Sequence, residues 1–167
     1  LAITESEEKL IAAAASIGGP RLINNQIPYN LIERGPEIEV LPQADAEKIA
    51  ITCYRPLMAG ALTDRYTAGE PPPADSRAVR DQRLPRWQEE HAKGIAHLKA
   101  LAKGHGVPST YIAIAWLCAQ RGLSCPITGI SRLSQLQENL GAFDFTLTAD
   151  ALTGLNAAFD TEPREVS

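Results

Sequence analysis

The run Ile51-Thr52-Cys53-Tyr54-Arg55-Pro56-Leu57-Met58-Ala59-Gly60-Ala61-Leu62-Thr63-Asp64-Arg65-Tyr66 constrains the fold more than any other stretch. Ile51 to Tyr54 are β-branched, small or aromatic, which suits a strand covered on both faces. Pro56 has no N–H with which to continue a ladder, so pairing must end there. Gly60 lets backbone approach a neighbour closely, and a polar, basic end follows. A strand whose C-terminal end opens into such a loop is where α/β proteins place ligands.

The flanking pattern alternates strands with helices, which predicts a parallel α/β architecture. Thr4-Glu5-Ser6-Glu7 forms a capping box for a helix over about Glu5 to Ile17, stopped by Gly18-Gly19-Pro20. Leu22 to Ile27 reads as a strand ended by Pro28, and Pro36 to Ile49 as a helix weakened at Pro42. Ala50 to Tyr54 is the next strand. Residues 67–86 are irregular, with Pro71-Pro72-Pro73 and the cluster Arg77, Arg80, Arg83 and Arg86 close to Arg65. A connection this long in a compact domain is usually functional or disordered. Helices follow over Trp87 to Lys103 and Thr110 to Gln120, the second apolar enough to be heavily buried. Cys125 to Thr128 is a strand, Ser131 or Arg132 starts a helix through Leu140, and Thr148 caps a last helix bearing Leu152, Leu155 and Phe159. Three parallel strands would leave two long edges, so the pattern predicts either a small open sheet or a piece of a larger closed one.

The chain has 167 residues, 44% hydrophobic and 22% charged, with a formal net charge of −4. That is a globular composition, and it argues against nucleic acid as the main partner. No apolar run approaches the roughly 20 residues that span a bilayer, and the acidic start has no basic segment of the kind that opens a secretory signal. Leu1 in place of Met gives the expectation of a longer reading frame or of processing. Cys53, Cys118 and Cys125 are odd in number and lack a Cys-x-x-Cys spacing, which predicts reduced core thiols in a cytoplasmic protein. His91, His97 and His105 have no zinc-pair spacing, so no metal site is expected.

Four stretches could carry chemistry. Asn24-Asn25-Gln26 closes a strand; its amides could read a flat carboxamide edge or simply satisfy a turn. Tyr54 could stack on a planar ligand or serve as a core ring. Gly129-Ile130-Ser131-Arg132 lies where a strand hands over to a helix, whose N–H groups and partial positive charge suit phosphate. Gln135, Glu138 and Asn139 recur on one face of that helix and could meet ribose and adenine or only solvent. The arginines from Arg77 to Arg86 could clamp phosphate or form a solvated loop.

Three groups of residues, in this order, resemble the aldo-keto reductases, in particular the branch that includes the potassium-channel beta subunits. Asn25-Gln26-x-x-Tyr29-Asn30 resembles that family's sixth-strand motif. Tyr54-x-Pro56-Leu57-x-x-Gly60-x-Leu62 resembles its seventh-strand loop, and Ile127-x-Gly129-x-Ser131-x-x-x-Gln135-Leu136-x-Glu138-Asn139 its eighth-strand signature. The resemblance covers nearly the whole chain, 1–167, as the C-terminal part of a (β/α)8 TIM barrel, incomplete as a barrel.

The resemblance implies reduction of aldehydes or ketones with NADP as cofactor. Gln26 would hold the nicotinamide amide and Tyr54 would stack on its ring. Pro56, Leu57, Gly60 and Arg65 would line the pyrophosphate. Gly129, Ser131, Arg132, Gln135, Glu138 and Asn139 would hold the adenosine end. Arg55 departs from the pattern, where a small serine is usual, and its cation would either contact phosphate or crowd the loop. The family's catalytic Asp, Tyr, Lys and His lie on earlier strands, so no catalytic residue is expected in this chain. Three readings follow: the NADP-binding half of a reductase completed by a missing N-terminal half, a non-catalytic nucleotide-binding module, or a half-barrel that associates with a second copy. The first is favoured, and the chain alone is expected not to reduce its small-molecule carbonyl substrate.

Overall fold

A computed structural model describes residues 23–66 and 83–159, together with Ser16. The expected first helix and its capping box, Arg77 and Arg80, and the polar tail from Thr161 lie outside the described residues, apart from Ser16, which is helical.

Three parallel strands form one sheet in chain order: β1 (Asn24–Pro28), β2 (Ala50–Tyr54) and β3 (Leu123–Ile127). Asn24 pairs with Ala50 and Pro28 with Tyr54, and Tyr54 pairs with Ile127 on the other side. β1 thus runs through Pro28, which the sequence placed just beyond the strand. Proline is admitted because β1 is an outer strand and has a partner on one side only. A register irregularity between Ile51 and Thr52 offsets β3 against β2.

The helical segment before β2 divides in two. A 3-10 turn over Gly35–Glu37 precedes α1 (Val40–Glu47), with Pro42 in the first turn, where a missing N–H costs nothing. Lys48 closes α1 in the left-handed conformation at φ 57°. The single helix expected over Trp87 to Lys103 is likewise two, α2 (Arg83–Glu90) and α3 (Ala92–His105), with a kink at His91. Hydrogen bonding runs across the kink, from the His91 N–H to the Trp87 carbonyl and from the Ile95 N–H to the His91 carbonyl. Each helix is thereby free to present its apolar side to a different neighbour: Leu84 is buried on α2, and Ile95, Leu98 and Ala102 on α3. Gly106 ends α3 at φ 66°.

Helix α4 (Ser109–Cys118) is the centre of the core. Every residue from Ile112 to Leu117 is buried, because the helix is apolar on all sides and is enclosed by α3, β3 and α5 (Leu133–Gly141). A 3-10 turn over Ala142–Asp144 leads to α6 (Ala149–Phe159), whose start is capped by the Thr148 hydroxyl accepting from the Ala151 N–H at 3.2 Å.

Two expectations about burial need correction. β2 buries Ile51 and Cys53 completely on the helix-covered side, whereas Thr52 and Tyr54 on the other face are half-exposed. A sheet of three strands does not close over that face. The cysteines are all free, but only Cys53 is buried; Cys118 ends α4 at the surface and Cys125 lies on the outer strand β3. No helix among the described residues is long and apolar enough to cross a membrane.

Candidate functional site

The C-terminal ends of β2 and β3 open onto one cleft of about 1230 Å³. One wall is the loop after β2. Its backbone takes the left-handed conformation at three residues with side chains, Arg55 (φ 58°), Met58 (φ 44°) and Ala59 (φ 54°), before Gly60 at φ 103°. Such conformations are costly for L-residues and persist only where the surroundings impose them. At Arg55 the fully buried Asn30 supplies such a restraint. Its Nδ2 donates to the Arg55 carbonyl at 3.1 Å, and its Oδ1 accepts from the Ile32 and Glu33 N–H groups at 2.9 Å each. Gly60 is required for space as well, since a Cβ there would stand 2.8 Å from the Tyr66 ring.

Beneath this wall, the Asp64 carboxylate accepts from the Ser109 N–H at 2.8 Å and from the Ser109 hydroxyl at 2.5 Å. A distant loop residue therefore caps α4, which has no cap of its own from the preceding proline. Further in, Arg34 makes two hydrogen bonds to Glu37, at 2.7 and 2.9 Å, and lies 5.4 Å above the Trp116 ring. The Tyr29 hydroxyl donates to the same Glu37 at 2.8 Å. Burial, reinforced by the Glu37 charge, raises the Tyr29 phenol far above its ordinary value. Burial also pushes the Cys53 thiol up to about 12, so it is a packing residue rather than a nucleophile.

The other wall is the β3–α5 turn. The Gln135 Oε1 accepts from the Ser131 N–H at 2.9 Å, the Ser131 hydroxyl at 3.1 Å and the Arg132 N–H at 3.2 Å. The side chain thus folds back over its own helix start, and an anion at these two N–H groups would have to displace the Gln135 oxygen. Glu138 and the buried Asn139 continue the wall one turn on.

Eleven of the residues singled out in the sequence line this cleft: Arg55, Pro56, Leu57, Gly60 and Arg65 on one side, and Gly129, Ser131, Arg132, Gln135, Glu138 and Asn139 on the other. Gln26 and Tyr54 do not line it. They lie on β1 and β2 on the sheet face opposite Ile27 and Cys53, because Gln26 pairs with Thr52 and paired residues point to the same side. Arg83, from the arginine cluster marked in the sequence, also lines the cleft, and the structure adds Thr63, Asp64 and Ser134. Asp64 stands beside Arg65 in a stretch already marked as a ligand loop, but nothing local in the sequence links it to Ser109. Trp87, read only as the start of a helix, has the Arg55 guanidinium 5.4 Å and the Arg83 guanidinium 5.2 Å from its ring centroid.

Comparison with known proteins agrees with this architecture. The family model described as the Aldo/keto reductase family matches residues 1–159. The aldo-keto reductase yakc of Schizosaccharomyces pombe, whose name carries NADP(+), is 30% identical over 138 residues, which are 80% of this chain and 39% of that protein. A probable voltage-gated potassium channel subunit beta of Arabidopsis thaliana is 32% identical over 149 residues, 85% of this chain and 45% of that protein. The chain therefore spans less than half the length of these relatives. The crystal structure of a thermostable aldo-keto reductase with the inhibitor epalrestat superposes with a TM-score of 0.64 at 23% identity, over 91% of this chain and 45% of the other. At that identity the likeness concerns the fold: the open sheet corresponds to part of a TIM barrel.

Proposed function

Because the chain belongs to the aldo/keto reductase family, we propose that it is the NADP-binding part of an oxidoreductase that reduces aldehydes or ketones in the cytoplasm. The observation that carries this reading is the convergence of the β2 loop and the β3–α5 turn on one cleft lined by Arg55, Arg65 and Arg132. The two stretches are far apart in the chain, and their donor set suits a ligand with separated phosphates. Three unpaired thiols support a reducing compartment.

In this reading Pro56, Leu57, Gly60 and Arg65 bind the pyrophosphate, with backbone close to the ligand at Gly60. Gly129, Ser131, Arg132, Gln135, Glu138 and Asn139 hold the adenosine end, where Gln135 exchanges its contact with the Ser131 N–H for the ligand. Gln26 and Tyr54, which share the open face of the sheet, orient the nicotinamide. The cofactor, when bound, supplies the hydride. The general acid comes from outside this chain. The preceding half of the protein, adding parallel strands at the outer edges of β1 and β3, supplies it and completes the substrate site.

A fluorescence titration of the 1–167 chain with NADPH tests this. Saturable binding without consumption of NADPH in the presence of an aromatic aldehyde is expected, and absence of binding would overturn the nucleotide assignment. Aldehyde-dependent turnover would overturn the division of labour between halves. A second reading, a half-barrel that pairs with its own copy, is favoured by the exposure of Leu133, Leu140 and Phe143 on α5 and the turn after it. Sedimentation separates the two: a concentration-dependent dimer that ignores NADPH would support the second.

A further inference from the structure

Arg55 stands at the rim of the cleft with its side chain 32% exposed, but its guanidinium is already engaged by three neighbours. Nη2 lies 3.3 Å from the Glu33 carboxylate and donates to the Met58 sulfur at 3.5 Å, and the centre of the cation is 5.4 Å from the Trp87 ring centroid. Each neighbour belongs to a different segment: Glu33 to the turn after β1, Met58 to the β2 loop, Trp87 to α2. The base of this arrangement is held firmly. Asn30 donates to the second Glu33 oxygen at 3.1 Å, accepts from the Glu33 N–H at 2.9 Å and gives its own N–H to the Glu33 carbonyl at 3.3 Å. Met58 is buried, and Trp87 is half-buried and packs against the core. Glu33 is therefore fixed at both backbone and side chain before it meets the arginine. An anion approaching Arg55 would meet the Glu33 charge as well, which weakens any attraction to it. A planar guanidinium can stack on an indole and face a carboxylate at the same time, which an ammonium cannot. The left-handed backbone of Arg55, which Asn or Gly would adopt more readily, points to a role for the side chain that outweighs that cost.

We propose that Arg55 is a positioning residue and not a ligand to the cofactor: through Glu33 and Trp87 it braces α2 against the turn after β1. The expectation from sequence left two roles for this cation, contact with phosphate or crowding of the loop, and the brace is neither. α2 borders the cleft at Arg83, so the brace sets that wall in place before a ligand arrives. A ligand then does not have to order the wall on binding. The consequence for nucleotide release rests on the NADP reading above; the brace itself does not.

The test reads Trp87 emission in the ligand-free 1–167 chain and NADPH release as separate measurements. Trp116 contributes a background that the Trp87→Phe variant defines, and circular dichroism verifies that each variant is folded. Glu33→Gln, which keeps an acceptor for Asn30, and Arg55→Gln are each expected to shift Trp87 emission to the red and to raise its quenching by acrylamide. Arg55→Lys keeps the charge but not the plane, and should not restore protection. For NADPH the direction of the effect separates a brace from a ligand. If Arg55 held phosphate, Glu33→Gln would free its cation from a competing carboxylate and NADPH would bind more tightly. The brace predicts the opposite: Glu33→Gln and Arg55→Lys should each speed NADPH release about fivefold, the scale of one lost cation–π or ion-pair contact. Tighter NADPH binding by Glu33→Gln, or Trp87 quenching that neither Arg55 variant changes, would overturn the proposal. Absence of NADPH binding by the unmodified chain would sink the nucleotide reading and leave quenching in the free chain to decide the brace.

Discussion

The side-chain amide of Asn30 holds the carbonyl of Arg55 at 3.1 Å and thereby fixes a residue at φ 58° on the rim of the cleft. The same amide oxygen satisfies two backbone N–H groups of the turn after β1. Asn30→Ala would orphan all three groups in a buried place. It is expected to cost about 2–4 kcal/mol of stability, as measured by urea unfolding. A variant as stable as the wild type would show that the loop holds its own shape.

The contact of Asp64 with Ser109 should be energetic as well as geometric. In a double-mutant cycle of Asp64→Ala and Ser109→Ala, the sum of the two single losses should exceed the double-mutant loss by about 1–2 kcal/mol, since either change breaks the hydroxyl–carboxylate bond, while Asp64→Ala also leaves the Ser109 N–H without its partner. Additive losses would mean that water replaces the carboxylate without cost.

Gly94 faces the Phe159 ring, and a Cβ there would stand 2.7 Å from it. Gly94→Ala should therefore destabilise the α3–α6 contact by about 1–3 kcal/mol, although alanine favours helices. Adding Phe159→Leu should recover part of the loss. A stabilising Gly94→Ala would refute the close approach.

His91 sits at the kink between α2 and α3, with its Nδ1 buried and unpartnered among the described residues. Burial lowers its basicity, although the Glu90 charge opposes this. The unfolded chain therefore takes up a proton more readily than the folded one. Stability should fall as pH drops through about 6.5, the ordinary value, and level off below the folded one. His91→Gln should flatten the thermal-melting profile between about pH 7.5 and 5.5. An identical slope in both proteins would assign the effect to other groups.

The strand at Ala50–Tyr54 was legible to the residue, because β-branched residues bounded by Pro56 leave few alternatives. The pairing of two distant segments around one cleft followed from the order of three motifs, not from any local pattern. The kink at His91 was invisible, since Trp87 to Lys103 are good helix formers throughout and the break answers to separate packing partners. The burial of β2 was overestimated for a related reason: composition reports what a strand tolerates, and the number of neighbouring strands decides what it meets. The caps and stacks that shape the rim, Asp64 on Ser109 and Trp87 between two arginines, join residues whose proximity exists only in three dimensions.

The strands lie in the sheet in the order in which they are synthesised, but they are not evenly spaced along the chain. β1 and β2 are joined through the short helix α1, whereas β3 follows only after α2, α3 and α4. Each doubling of a connection adds only about 0.6 kcal/mol of closure entropy, so the longer crossover costs little at equilibrium. Its effect is on timing. On the ribosome, β1 and β2 can register while α4 is still being made. The wall of the cleft formed by the β3–α5 turn then comes into being with the arrival of β3 on an edge already waiting for it.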